Sequence, residues 1–144
     1  MKLITSLCLF AAIPALGGGF YLNVDAASKS TDVKAKGAFL LARLSGCHEA
    51  EKGVLTASAE GVVDGKRRTI SLKVVKLDAA GTFAIARQWP EDGIWVVVLT
   101  AKHPAFAKPT ITAVPVRRDT IEKERAKYVN TRLFTPGEVE QLLR

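Results

Sequence analysis

The side chains with the strongest metal-binding or nucleophilic chemistry lie in two separate places along the chain. Cys47, His48 and Glu49 are consecutive, and His103 follows more than fifty positions later. A thiolate and an imidazole can ligate copper or zinc, and His103 could complete such a site from a second loop. The plainer interpretation, which we favour, makes Cys47 a small buried or free thiol and His48 and Glu49 loop surface. Copper or zinc binding by Cys47, His48 and His103 is therefore the alternative, and the first expectation is no cofactor.

No arrangement typical of a hydrolase accompanies these residues. A catalytic triad needs a nucleophile, a histidine and an orienting acid, and the chain has 2 histidines and no Gly-x-Ser-x-Gly elbow. Glu91 and Asp92 are adjacent carboxylates inside a Pro-Glu-Asp-Gly turn, where acidic residues serve local hydrogen bonding. We therefore predict a protein that is not an enzyme.

A cluster of basic residues and one loop tryptophan are the candidates for surface binding. Lys66, Arg67 and Arg68 follow a turn, and Trp89 precedes a proline in a loop. The net charge of +7 favours anionic partners, whether cell-surface polymers, anionic lipid or nucleic acid. No motif for specific nucleic-acid binding is present, so the partner we expect is an unknown protein or an anionic cell-surface polymer. The plainer interpretations, which we favour residue by residue, are solubility and edge protection for the basic residues and core or loop packing for Trp89.

The first 26 residues are typical of an export segment. Lys2 precedes an apolar run, a proline and three glycines interrupt it, and Val24-Asp25-Ala26 offers the small-residue spacing that signal peptidase recognises. We predict cleavage after Ala26, or alternatively near Gly17–Gly19, and a secreted or periplasmic protein. An uncleaved segment would instead anchor the chain in a membrane. Cleavage also removes Cys8, which leaves Cys47 without an internal disulfide partner.

Beyond the export segment, about 120 residues remain, the size of one domain. Residues 27–36 are small and charged and predict a flexible leader. The clearest local prediction is a hairpin in which Val54–Val63 and Lys66–Leu77 flank Asp64-Gly65, a preferred type I′ turn pair. A two-residue turn makes facing residue numbers sum to 129, and this register alone pairs apolar with apolar and polar with polar residues. The alternation changes parity after Val74, which predicts a bulge there.

The segment Ile94–Thr100 is apolar at consecutive positions, which predicts a central strand covered on both faces. Further strands are expected at 37–44, 82–86 and 110–116, the last at a sheet edge because Pro115 lacks a backbone donor. The charged stretch 117–131 is expected to form a solvated helix. Thr135, Pro136 and Glu138 predict the start of a final short helix. The fold class is therefore all-β, an antiparallel immunoglobulin- or transthyretin-like sandwich with a short C-terminal helical tail.

The residues Asp78–Ile85 followed by Pro90–Val98 carry the rhythm D-x-x-G-x-F … P-x-x-G-x-W-x-V-x-V. This rhythm resembles that of carboxypeptidase regulatory-like domains, which are transthyretin-like sandwiches of exported proteins. The resemblance covers about 25 residues and implies a fold, with no catalytic residues. We therefore expect a β-sandwich domain at 37–118, a helical tail at 119–144, and an exported accessory or adhesion-type module that acts through surface contacts.

Overall fold

The structure, a computed structural model, describes residues 19–46, 49–130 and 132–144. Within these residues the chain forms ten β-strands, several short 3₁₀ turns and one α-helix. In chain order, the elements are β1 (Phe20–Ala26), β2 (Leu40–Gly46), β3 (Val54–Val63), β4 (Lys66–Leu72), β5 (Val74–Lys76), β6 (Thr82–Ile85), β7 (Ile94–Lys102), β8 (Thr110–Arg117), β9 (Thr120–Ile121), β10 (Lys127–Val129) and α1 (Pro136–Leu142).

The strands form two sheets, and every strand pairing is antiparallel. A four-stranded sheet has the order β1-β2-β6-β5, and a six-stranded sheet has the order β10-β8-β7-β3-β4, with β9 paired to β8. The main apolar core lies between the two sheets and includes Leu40, Ile85, Trp95 and Leu99. The prediction of an all-β antiparallel sandwich with a short C-terminal helix is thus confirmed.

The hairpin of β3 and β4 has the predicted register. Ala57 faces Leu72 and Ala59 faces Ile70, and the turn residues Asp64 and Gly65 have φ angles of 51° and 71°. A type I′ turn requires positive φ at both positions, and glycine adopts it without steric cost. The expected pairing of Leu55 with Val74 does not occur.

Instead of forming a bulge, the chain changes sheets after Leu72. β4 belongs to the six-stranded sheet, whereas β5 begins two residues later in the four-stranded sheet, where Val74 faces Ile85. Lys73 is the single connecting residue, and its backbone N–H donates to the side-chain oxygen of Gln88 at 3.2 Å. The change of parity in the sequence therefore marks a change of sheet.

The strand β7 is central, as predicted, with β3 on one side and β8 on the other. Its inward residues, including Trp95 and Leu99, lie in the main core. On its outward face, Val96 is buried beneath α1, while Val98 and Thr100 are half-buried. A Cβ on Gly61 of β3 would lie 2.5 Å from the ring of Trp95, so only glycine fits opposite this indole.

β8 is an inner strand rather than an edge strand. β10 pairs with Ile111–Ala113 and β9 with Val116–Arg117, and the carbonyl of Pro115 accepts a hydrogen bond from the backbone N–H of Glu122 at 2.9 Å. Pro115 therefore lies in the gap between two short strands, where its missing N–H interrupts no ladder.

The stretch 117–131, expected to be helical, instead forms β9, a 3₁₀ turn and β10 within the described residues. β9 and β10 pair with the edge of β8 that faces away from β7. This pairing is a tertiary contact, and nothing in the charged sequence indicates it. The final helix does form as predicted. Thr135 and Glu138 make a reciprocal capping box at its start, with Pro136 at the first helical position.

The residues on either side of the predicted cleavage point after Ala26 form part of the fold. Phe20–Ala26, expected to lie within the export segment, forms β1 and pairs with β2 along its whole length. Residues 27–36, expected to be a flexible leader, form two 3₁₀ turns. Ala27 and Ala35 pack against Leu41 and Leu77 on the outer face of the four-stranded sheet.

Candidate functional site

The structure describes one of the three residues predicted to bind a metal. Cys47 and His48 lie outside the described residues, so copper or zinc binding stays a prediction. His103 is 6% exposed, its Nδ1 accepts a hydrogen bond from the backbone N–H of Ala105 at 3.1 Å, and its Nε2 lies 2.9 Å from the carbonyl oxygen of Glu49. These contacts correspond to a neutral imidazole that donates from Nε2. Within the part of the chain that is described, no group of three or more His, Cys, Asp or Glu side chains could hold a metal ion.

Trp89, predicted as a possible surface contact, is 5% exposed and belongs to the main core. Its ring meets that of Phe39 edge-on, with centroids 5.4 Å apart. The guanidinium of Arg87 lies 4.6 Å from the Phe39 ring centroid and 5.9 Å from that of Trp89. Trp89 is therefore corrected to a packing residue, since its faces are not available for stacking on a ligand.

The basic cluster Lys66, Arg67 and Arg68 is exposed but does not form one surface. Successive side chains of a strand point to opposite faces, so Arg67 lies on one face of β4 and Lys66 and Arg68 on the other. Arg67 contacts Glu60 at 2.8 Å and Glu140 at 3.2 Å, which ties β4 to α1. One of the three charges is thus neutralised within the fold.

A different surface brings apolar and basic side chains together. Two adjoining clefts lie on the outer face of the six-stranded sheet, beside the half that α1 leaves uncovered, and Leu133 lines both. We call these two clefts the groove. The first has a volume of about 450 Å³, with Val98, Thr100 and Ile111 among its lining residues. The second has a volume of about 590 Å³, and Val54, Phe106 and Lys102 are among the residues that line it.

The groove contains two of the exposed large apolar side chains of the described chain. Leu133 is 68% exposed and Val54 is 63% exposed. Both side chains line the second cleft, so they are exposed next to the same opening. His103 lines the second cleft and lies beside Phe106, with ring centroids 5.6 Å apart.

The charges of the groove are unevenly distributed. The second cleft is lined by Lys52, Lys102 and Lys108. Lys52 pairs with Glu49, whereas Lys102 and Lys108 make no ion pair with any described residue. At the opposite end, Arg67 pairs with Glu60 and also with Glu140, so it leaves no excess positive charge there. One end of the groove is therefore cationic, and the other carries no excess positive charge.

The segment that carries Leu133 is held by an ion pair. Arg132 contacts both carboxylate oxygens of Glu138, at 2.7 and 2.6 Å. The hydrogen bonds from Arg132 and from the backbone N–H of Thr135 lower the pKa of Glu138 to about 2. This network fixes the chain just before α1 and so positions Leu133 at the groove.

The sequence carries only a faint signal of this groove. Val54 shares its outward parity with the polar residues Thr56, Ser58 and Glu60 of β3, which marks it as an apolar residue on a solvated face. Val54 faces Lys102 across the ladder between β3 and β7. Lys108 and Leu133 reach the same surface through loops, and no spacing in the sequence predicts that.

The described residues contain no helix long and apolar enough to cross a membrane. No known protein family, curated protein or solved structure matches this chain.

Proposed function

We propose that this chain is an exported, non-enzymatic β-sandwich module that binds an anionic partner through the groove. The observation that carries the proposal is the pairing of exposed apolar side chains, Val54 and Leu133, with the lysines Lys102 and Lys108, which lack ion-pair partners among the described residues. Export rests on the N-terminal sequence pattern, and an uncleaved segment would make the module membrane-anchored.

The chemistry of the second cleft supports binding rather than reaction. The described residues that line it include no carboxylate, hydroxyl or thiol side chain. His103 lines it as well, but its two ring nitrogens already contact backbone groups of Glu49 and Ala105. Ammonium groups above an apolar floor attract and hold an anion and offer it no nucleophile.

The test is a titration of the purified protein with dextran sulfate, an anionic polymer, at physiological ionic strength. We expect Lys102→Glu combined with Lys108→Glu to weaken dextran sulfate binding about tenfold, since reversing two exposed charges makes the free energy of binding less favourable by about 1–2 kcal/mol. Neutral dextran should not bind.

The matched control reverses Lys66 and Arg68 to Glu, which changes the net charge by the same amount on another part of the six-stranded sheet. If this control weakens binding as much as the groove variant, the basic residues of β4 or the net charge alone hold the polymer, and the groove is not the contact surface.

A further inference from the structure

We infer that the groove binds an extended anionic amphiphile, a long-chain carboxylate, with the carboxylate at the lysine end and the alkyl chain on the sheet. The inference rests on the proposed function and names the ligand class of the same surface. Its structural basis is the shape of the floor, the asymmetry of charge, and the saturation of the backbone beneath.

The floor is linear because it follows the outward residues of one strand. Val98, Thr100 and Lys102 alternate with the core residues of β7 and therefore point outward together. They span about 14 Å at roughly 3.4 Å per residue. Ile111 faces Thr100 from β8, and Val54 faces Lys102 from β3. The β8 flank of this path is apolar, with Ile111 and Ala113 facing Thr100 and Val98. The β3 flank carries the apolar Val54 at the lysine end and the hydroxyl residues Thr56 and Ser58 beyond it.

Leu133 connects the two clefts of this path. It lines both of them and is 68% exposed, so it lies over the path without filling it. A flexible alkyl chain can run beside such a side chain and remove both from water, which is the main source of affinity for an apolar ligand. The volumes of the two clefts lie within the usual range of small-molecule sites, about 300–1,000 Å³.

The direction of the ligand follows from the charges. Lys102 and Lys108 carry unneutralised charge at one end, whereas Arg67 at the other end is paired with both Glu60 and Glu140. A carboxylate is therefore favoured only at the lysine end, while a neutral chain end suits the other. A ligand with one anionic head and one apolar tail matches this pattern, and an anion without a tail would use only half of the groove.

The backbone beneath the groove disfavours an extended peptide as the occupant. The floor is the face of a sheet in which β7 pairs with β3 and β8 along its length, so its backbone groups already bond within the sheet. A peptide laid on this face would lose hydrogen bonds to water without replacement, whereas an alkyl chain has none to lose. A second copy of the chain would bring lysines against lysines, with a net charge of +7 on each partner.

The test is calorimetric titration with monomeric dodecanoate and octanoate at neutral pH. Each fully buried methylene tightens binding about fourfold, so in this open groove we expect dodecanoate to bind at least tenfold more tightly than octanoate, with one ligand per chain. Leu133→Asp and the double variant K102E/K108E should each weaken dodecanoate binding at least tenfold. Both alter exposed side chains, and circular dichroism will show whether each variant is folded.

The controls separate specific from general effects. Val33 is 85% exposed and lies outside the groove, so Val33→Asp should leave dodecanoate binding unchanged. Equal binding of dodecanoate and octanoate, equal binding of a neutral dodecyl glycoside, or binding only to anionic vesicles and not to monomeric dodecanoate would each overturn the inference. Dextran sulfate binding that depends on Lys102 and Lys108, without chain-length dependence, would overturn the inference but leave the proposed function standing. If dodecanoate binding shows no chain-length dependence and dextran sulfate binding does not depend on Lys102 and Lys108, the inference and the proposed function are both rejected.

Discussion

The imidazole of His103 bridges two backbone segments that are far apart in the chain. Its ring lies between the carbonyl of Glu49 and the N–H of Ala105, and it contacts the rings of Phe20 and Phe106. Replacing it with alanine leaves these two backbone groups without their partner in a partly buried environment. We expect His103→Ala to lower the free energy of unfolding by about 1–3 kcal/mol, measured by urea denaturation.

The neighbouring Lys102 provides the control, because its side chain is exposed and makes no described ion pair. Lys102→Ala should change the free energy of unfolding by less than about 0.5 kcal/mol. A zinc or copper titration of His103→Ala completes the comparison. Loss of a bound metal in this variant, with unchanged stability in its absence, would assign His103 to a metal site rather than to the fold.

The lowered pKa of Glu138 determines how the stability of the start of α1 depends on pH. Its pKa is lowered from 4.5 to about 2, first by the hydrogen bond from Arg132 and then by the backbone N–H of Thr135. A carboxyl with a depressed folded-state pKa contributes stability above its unfolded pKa, and the contribution is lost as the pH falls through the folded-state pKa. We therefore expect the melting temperature of the wild type to exceed that of Glu138→Gln above about pH 5, and the difference to shrink between pH 4.5 and about 2.

The non-titrating variant Gln141→Ala, on the same helix, serves as the reference, since its difference from the wild type should not vary over this interval. A wild-type advantage over Glu138→Gln that stays constant down to pH 2 would contradict the assignment.

At the scale of elements, β1 joins the N-terminal sequence to the core. Phe20, Leu22 and Val24 are buried between the sheets, and the hydroxyls of Thr110 and Thr112 donate to the carbonyls of Phe20 and Leu22 at 3.1 and 3.3 Å. Each of these three apolar side chains contributes about 1.5–3 kcal/mol to stability when fully buried. Their sum is comparable to the whole free energy of unfolding of a domain.

We expect a chain that begins at Gly19 to keep the unfolding midpoint of the longer protein and a chain that begins at Ala27 to be largely unfolded by circular dichroism at 25 °C. The proposed export would accordingly require signal cleavage near Gly17–Gly19, the second of the two predicted positions, and the intact mass of the mature chain will locate the cleavage. A stable, folded chain beginning at Ala27 would show that β1 is dispensable.

The elements that could be predicted are those specified by neighbouring residues. Asp64-Gly65 and the alternation around it specify one hairpin, and Thr135, Pro136 and Glu138 specify a helix start, because turn and cap chemistry act within a few residues. β1 could not be recognised, since its apolar residues continue the run that is typical of export. β9 and β10 depend on the free edge of β8, which is a tertiary property. The groove depends on Lys52, Lys102, Lys108 and Leu133, which meet only after the register of three strands is set.

At the scale of the whole molecule, the two outer faces are covered to different extents. The 3₁₀ turns of residues 27–35 cover part of the four-stranded sheet, with Ala27 and Ala35 buried. On the six-stranded sheet, α1 buries Val96 and Ala113 with Val139 and Leu142, but leaves the region of Val98, Thr100 and Lys102 partly open. This incomplete cover supports the proposed function, because α1 begins at the first cleft, where Pro136 and Val139 line it, and does not extend over the second cleft.

The passage from one sheet to the other through Lys73 alone has a mechanical consequence. Because one residue connects β4 to β5, neither sheet can separate without disrupting a strand of the other. The protein should therefore unfold in a single cooperative step. The variants Trp89→Phe and Trp95→Phe each retain one tryptophan, whose fluorescence reports on its own part of the core between the sheets. In each variant the fluorescence midpoint should coincide with the circular-dichroism midpoint, and two distinct midpoints would mean that the layers separate independently.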